Sequence, residues 1–218
     1  NNPLGYRDPN GLMVKMKYGY TLESTLEDGF TYSTSRDDVK ELDTYKILLK
    51  KTLSLLFQDE TFMKLWNDIW NDPTVYYITV TTTLGEQYSY DDKTRTIFIY
   101  PLGFDGNRNT DPNTQMRLDG LLNHEFGHLY EHYLYTKTGK SVSYESYLKF
   151  EQTGNSMYQE ICERIIIGKY ETNYNIKTGQ PLRRWYLNDF NGNPAKLLTG
   201  DTTEYFVNWI DLESRGIN

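Results

Sequence analysis

The chain has 218 residues, with 23 Lys and Arg against 30 Asp and Glu, for a formal charge of −7. That balance argues against nucleic-acid binding as a main task, which draws on Lys and Arg to neutralise phosphates. No run of 18 apolar residues marks a membrane span, and the lone cysteine, Cys162, excludes an internal disulfide.

A chain of this length buries roughly 70% of its unfolded surface. It needs no structural metal to fold, so any metal is expected to be catalytic. The first residues carry no signal-peptide pattern. Export is therefore expected to use another device, or to come as part of a longer protein.

Residues 1–12 are rich in Asn, Pro, Gly and Asp and predict a turn-rich lead. From 13 to 35 apolar and polar side chains alternate (Met13, Val14, Met16, Tyr18, Tyr20, then Phe30 and Tyr32), as in one or two strands. Val39, Leu42, Tyr45, Leu48, Leu49 and Leu53 fall at helical spacing and predict a helix over 37–58. A second helix is expected at Glu60–Trp70, where Phe62, Leu65, Trp66 and Trp70 form an apolar side suited to a core. Residues 76–83 are β-branched and aromatic, hence a strand. Residues 88–101 predict a hairpin that turns at Asp91-Asp92-Lys93 and returns along Thr96–Tyr100.

A Gly/Asn/Asp-rich loop at 103–112 precedes a long helix from Asn113 or Thr114 to Lys137, capped by Gly139. Loops are expected to lead to the next helix, Met157–Gly168. Gly179-Gln180-Pro181 then turns into Leu182–Tyr186. A loop at 191–194 and an apolar stretch at 205–212 close the pattern. The elements together predict an α+β fold, with residues 13–218 as one domain. Its small mixed or antiparallel sheet is expected to pack on the central helix, with further helices after it.

The central helix carries His124-Glu125-Phe126-Gly127-His128. Histidines four apart share one helix face, a turn apart. Two such imidazoles can grip one zinc ion at about 2.0–2.1 Å each. Glu125 between them is suited to act as general base on a zinc-bound water, whose pKa zinc lowers to about 7. Apolar neighbours at Leu121, Leu122, Phe126 and Leu129 imply a buried helix, and an apolar shell keeps a metal site dry. Gly127 weakens a helix by about 1 kcal/mol, so another backbone or a substrate is expected to come close there. His132 lies eight residues past His124, about 12 Å along a helix, and is expected on a helix face, at the surface, or behind a metal ligand, and not as a ligand of the same ion.

A catalytic zinc keeps three protein ligands and one open place. The chain has no fourth histidine, so a carboxylate must complete the set. Glu160 and Glu163 on the Met157–Gly168 helix are the candidates. Three apart, they share a face, and spacing alone leaves the choice open. Both could equally be solvated helix charges, one of them paired with Arg164.

Two resemblances bear on this choice. The interval of 35 residues from His128 to Glu163, with Gly168 five further on, resembles the gluzincin-type toxin proteases, among them clostridial neurotoxin light chains. Glu171-Thr172-Asn173 and Gly179-Gln180-Pro181-Leu182-Arg183-Arg184-Trp185-Tyr186 resemble a segment of the NleD-type effector proteases, although Thr172 and Arg164 depart from that pattern. The resemblance implies a zincin-like fold with Zn²⁺ held by His124, His128 and Glu163. It also implies that Glu171 braces a zinc histidine or Arg183, and that Arg183 and Tyr186 face the reacting carbonyl. Separately, Asn2-Pro3-Leu4 through Asp8-Pro9-Asn10-Gly11-Leu12 resembles the end of an Rhs or YD-repeat core, after which a variable C-terminal toxin begins.

The function these features imply is a zinc-dependent endopeptidase, secreted or delivered into a target-cell cytosol and acting on a protein there. A delivery shell or an immunity protein would be its partner. Thr96–Tyr100 is expected to offer a sheet edge beside the zinc, to which an extended substrate adds as a strand. Two alternatives stand beside this reading. One is a different zinc hydrolase, such as a deformylase, although that family takes its zinc cysteine from upstream of the motif and Cys162 lies downstream. The other is a non-catalytic binding or structural module of a secreted assembly.

Overall fold

The computed structural model describes residues 14–18, 23–25, 31–33, 49, 51–72, 74, 76–80, 88–99, 117–180, 182–183 and 197–198. The expected lead at 1–12, most of the helix at 37–58, the loop at 103–112, the helix start at 113–114 and the expectations beyond 183 (apart from 197–198) lie outside the described residues. The chain divides into two compact units, Asn1–Asn107 and Arg108–Asn218. Its class is mixed α+β.

The first unit holds strands β1 (Val14–Tyr18), β2 (Glu23–Thr25) and β3 (Thr31–Ser33), helix α1 (Glu60–Trp70), then β4 (Tyr76–Val80), β5 (Ser89–Asp91) and β6 (Thr96–Ile99). Its main sheet is small and mixed, in the order β1-β4-β6-β5. β4 runs parallel to β1 and β6, while β5 is antiparallel to β6. The expected edge role of Thr96–Tyr100 is therefore overturned. β6 is paired on both sides, and among the described strands the outer positions of this sheet belong to β1 and β5. β2 and β3 form a separate antiparallel pair.

The β5–β6 hairpin follows from Asp91. Its carboxylate accepts from the Lys93 backbone N–H at 3.0 Å and from the Thr94 hydroxyl at 2.7 Å. An Asp that bonds its own backbone two residues on is a turn former, and Arg95 completes the turn with φ 53°. α1 begins where Asp59, in extended geometry, accepts from the Phe62 N–H at 2.9 Å. It buries Phe62, Leu65, Trp66 and Ile69. Trp66 meets the Phe57 ring edge-on at 5.0 Å. A helical segment at 51–56 adds Leu53 and Leu56, which with Leu49 form a fully buried i, i+4, i+7 face. Each such side chain contributes about 1.5–3 kcal/mol through burial. The aromatic side of α1 is thus core.

The second unit begins with α2 (Leu118–Thr138). Arg117 precedes it in extended geometry and without a side-chain cap. Tertiary bonds fix this end instead. Gln180 Oε1 accepts from the Arg117 N–H at 2.9 Å, and buried Asp119 receives Arg117, Tyr174 and Gln180. The helix ends as expected at Gly139, with φ 70°, a left-handed cap that glycine takes without a Cβ penalty.

α3 (Val142–Thr153) occupies a stretch expected to be loop. Ser141 accepts from the Tyr144 N–H at 3.0 Å, and Glu145 reaches back to the Ser141 N–H at 3.2 Å. This is a reciprocal start signal close to the capping box. The weak apolar periodicity of 142–153 conceals it.

α4 (Ser156–Ile166) starts on Asn155, whose side chain accepts from the Met157 N–H at 3.0 Å. It does not stop at Gly168 as expected. The chain passes through a π-turn, Ile167–Glu171, into α5 (Thr172–Thr178), and stops at Gly179 with φ 65°. A two-residue strand, β7 (Leu182–Arg183), pairs antiparallel with β8 (Leu197–Leu198).

Asp59→Ala removes the N-cap of α1 and is expected to lower stability by about 1 kcal/mol, read from the midpoint of urea unfolding. Asp59→Asn, which keeps an acceptor, should lose less.

Candidate metal centre

Helix α2 sets His124 and His128 one turn apart, their rings 5.0 Å between centroids and their Nε2 atoms 3.3 Å apart. α4 lays Glu163 across them. Glu163 Oε2 is 3.3 Å from His124 Nε2 and 3.3 Å from His128 Nε2. Three ligand atoms thus form a nearly equilateral triangle. A tetrahedral ion with bonds of about 2.0–2.1 Å requires its ligand atoms to stand about 3.3–3.4 Å apart, so the triangle has the dimensions of a zinc site.

A second observation agrees. Glu163 Oε2 is buried and has no hydrogen-bond partner that satisfies it. A buried carboxylate oxygen left so is costly, and a cation at the centre of the triangle would satisfy it. Two imidazole nitrogens and one carboxylate oxygen form a donor set that zinc accepts with one place left open. These three residues are the group among the described residues with metal-binding geometry.

Glu160 takes no part in this group. Its carboxylate bonds Arg164 at 2.7 Å, one turn away on a half-exposed face. Of the two acids that spacing left open, Glu163 is the one brought to the histidines.

Electrostatics tie the three groups together. Burial pushes the Glu163 carboxyl up, but the charge of His128 and the 3.3 Å approach of both imidazoles outweigh it and hold the group well below the usual carboxylate range. Burial also pulls His128 down, yet the facing Glu163 charge and the contacts with Cys162 and Glu163 leave it well above the ordinary histidine value. In the metal-free protein the His128 imidazole and the Glu163 carboxylate thus each favour the charged form of the other.

Each histidine is held from behind. His124 Nδ1 lies 2.8 Å from Glu171 Oε2, and Glu171 is fully buried. With Nδ1–H given to the carboxylate, the Nε2 lone pair faces the triangle, the tautomer a metal ligand needs. Glu171 thus stands where the sequence expected it, behind a histidine. His128 leans instead on a thiol: Cys162 Sγ is 3.8 Å from its Nδ1, and Ser143 Oγ is 3.3 Å from that sulfur. Sequence reasoning weighed Cys162 only as a metal ligand and missed this contact. Its position immediately before Glu163 was the available signal.

Glu125 is buried on α2 beside His124. Gly127 has a close neighbour, but it is a side chain rather than a backbone or a substrate. A Cβ there would come within 2.7 Å of the Tyr170 ring. His132 stacks on Tyr144 with centroids 4.5 Å apart, half-buried, and stays out of the triangle as expected. Arg183 lies in β7 opposite Leu197, and Tyr186 is outside the described residues. Compared with known protein families, curated proteins and solved structures, the chain finds no match.

A raised His128 and a lowered Glu163 stabilise the metal-free fold in a defined window. The His128 part is complete below the unfolded value of 6.5 and is lost as pH rises through its raised folded value. The Glu163 part is complete above 4.5 and is lost as pH falls through its lowered folded value. Thermal unfolding of chelator-treated protein should therefore show this contribution at its fullest between pH 4.5 and 6.5. A zinc ion bound here would compete with a proton for His128, so zinc affinity should rise with pH across the neutral range. A chelator competition that gives a flat profile would contradict this account.

Proposed function

We propose that the chain is a zinc-dependent endopeptidase with its active centre at His124, Glu125, His128 and Glu163. The reading is carried by the 3.3 Å triangle of His124 Nε2, His128 Nε2 and Glu163 Oε2. Support comes from Glu171 behind His124 and from the position of Glu125 in the same helix.

Zinc held there would supply a Lewis acid that polarises a peptide carbonyl and lowers the pKa of a water to about 7. Glu125 accepts the proton of the attacking water and returns it to the leaving amine, the work of a general base that becomes a general acid. Its burial keeps bulk water from competing for that proton. Arg183 and Tyr186 are assigned to donate hydrogen bonds to the oxyanion. Each such donor is typically worth about 10²–10³ in rate. Glu171 fixes the tautomer of His124, and Cys162 orients His128.

The likeness of the motif and its spacing to gluzincin-type toxin proteases, and of residues 1–12 to the end of an Rhs core, extends the proposal. On this reading the chain is a zincin-like toxin domain released into a target cell, with a protein of that cell as substrate. Its delivery shell or an immunity protein would be the natural partner.

Two experiments test the assignment. Glu125→Gln is expected to retain about one zinc per chain and to lose protein cleavage by roughly 10²-fold or more, measured by digestion of a target-cell lysate. Undiminished cleavage removes Glu125 as the base. Glu163→Ala should release zinc far more readily than Glu160→Ala, read by elemental analysis after dialysis. The opposite order would move the third ligand to Glu160. Zinc bound without cleavage of any protein favours another zinc hydrolase, and no zinc at all favours a binding module.

A further inference from the structure

The helix that supplies Glu163 also supplies Glu171, and between the two its ladder changes. In the π-turn Ile167–Glu171 the Thr172 N–H bonds the Ile167 carbonyl, five residues back. Eight residues along an unbroken α-helix turn a side chain about 80° from its starting face. A π-turn absorbs one residue, so the same eight act as seven and return to within about 20° of that face. This is how both carboxylates meet one imidazole, Glu163 at Nε2 (3.3 Å) and Glu171 at Nδ1 (2.8 Å).

A π-turn is a rare geometry that needs outside support. Much of that support converges on one carboxylate. Glu131, seven residues past His124 on α2, is 2% exposed. Its Oε1 accepts from the Tyr170 hydroxyl and from Lys169 Nζ at 2.9 Å, and its Oε2 from Ser141 Oγ at 2.6 Å. Lys169 and Tyr170 are the two residues directly before Glu171. Asn123 adds a bond to the Tyr170 carbonyl at 2.9 Å.

We propose that Glu131 is a positioning residue for the metal centre. Its bonds to Tyr170 and Lys169 hold the π-turn in the register that keeps Glu171 on His124, and so strengthen the grip of the site on a divalent cation. Were the turn to relax to α-helix, Glu171 would rotate away and His124 would lose its brace. The proposal rests on the metal-centre reading above.

The test is a double-mutant cycle on the whole chain, with the Zn²⁺ dissociation constant read by competition with a chromophoric chelator. Glu131→Gln is expected to loosen zinc about tenfold, and Tyr170→Phe to act in the same direction. In a Glu171→Gln background, either change should add little, because the register no longer serves a brace. An undiminished loss in that background would mark Glu131 as merely structural and overturn the proposal, as would the absence of any loss. If Glu131→Gln fails to fold by circular dichroism, Tyr170→Phe decides the same comparison alone. A parent chain without zinc would overturn the metal-centre reading and this proposal with it. A zinc-loaded parent indifferent to these changes overturns only the role of Glu131.

Discussion

A carboxylate sealed from water against two imidazoles is the constraint around which the second unit is organised. Removing an isolated carboxylate from water costs several kcal/mol even after relaxation. Glu163 bears that cost only because positive charge faces it, as a proton on His128 or as a metal ion in its place. Neither charge can be shared unless α2 and α4 lie at a fixed separation with their side chains in phase. Gly127 permits the approach, since its missing Cβ leaves room for the Tyr170 ring and Ile166. The cost of a glycine in the middle of a helix, about 1 kcal/mol, is thus offset by close packing against the segment that carries both acids.

The polar groups around this packing are nearly all satisfied, and by the same few elements. Asp119 gathers Arg117, Tyr174 and Gln180 at the start of α2, while Glu131 gathers Ser141, Lys169 and Tyr170 seven residues past His124. Both are buried acids on α2, and both tie it to the chain running from α4 into α5. The metal triangle lies between them along the helix. Buried networks of this kind rigidify when complete and are costly when broken. Glu163 Oε2 is one buried oxygen in that setting without a hydrogen bond, and a cation in the triangle would satisfy it.

The sequence made the ligands legible and hid their supports. The i, i+4 histidines and the buried neighbours of α2 are local patterns, and the structure has them as expected. Choosing between Glu160 and Glu163 was beyond spacing, because three residues on a helix separate two side chains by less than a quarter turn. The choice falls to what surrounds each acid, Arg164 for one and the two histidines for the other. The uninterrupted run from Ser156 to Thr178 was read as ending at Gly168, since glycine is an ordinary stop signal. Tertiary bonds to α2 carry the helix through it as a π-turn, which no local pattern encodes. α3 was lost for a different reason. Its start rests on reciprocal side-chain bonds at Ser141 and Glu145, while its apolar period is faint. In the first unit, strand order placed β6 inside the sheet, since strand pairing joins residues far apart in sequence.

The two histidines are not equivalent, and the difference has a chemical consequence. His124 Nδ1 faces a fully buried carboxylate at 2.8 Å, which turns its Nε2 toward the triangle. His128 Nδ1 faces the Cys162 thiol at 3.8 Å, and its ring stays partly exposed, at 16% of its side-chain surface. The carboxylate thus braces the more deeply buried of the two rings, and the thiol stands behind the more exposed one. A site built this way anchors an ion from within while leaving its outer face adjustable. Under the proposed function this would suit a centre whose open position exchanges a water for a carbonyl, rather than a closed structural site, where all four places belong to the protein. The asymmetry is an observation, separate from the motif, on which that proposal can draw.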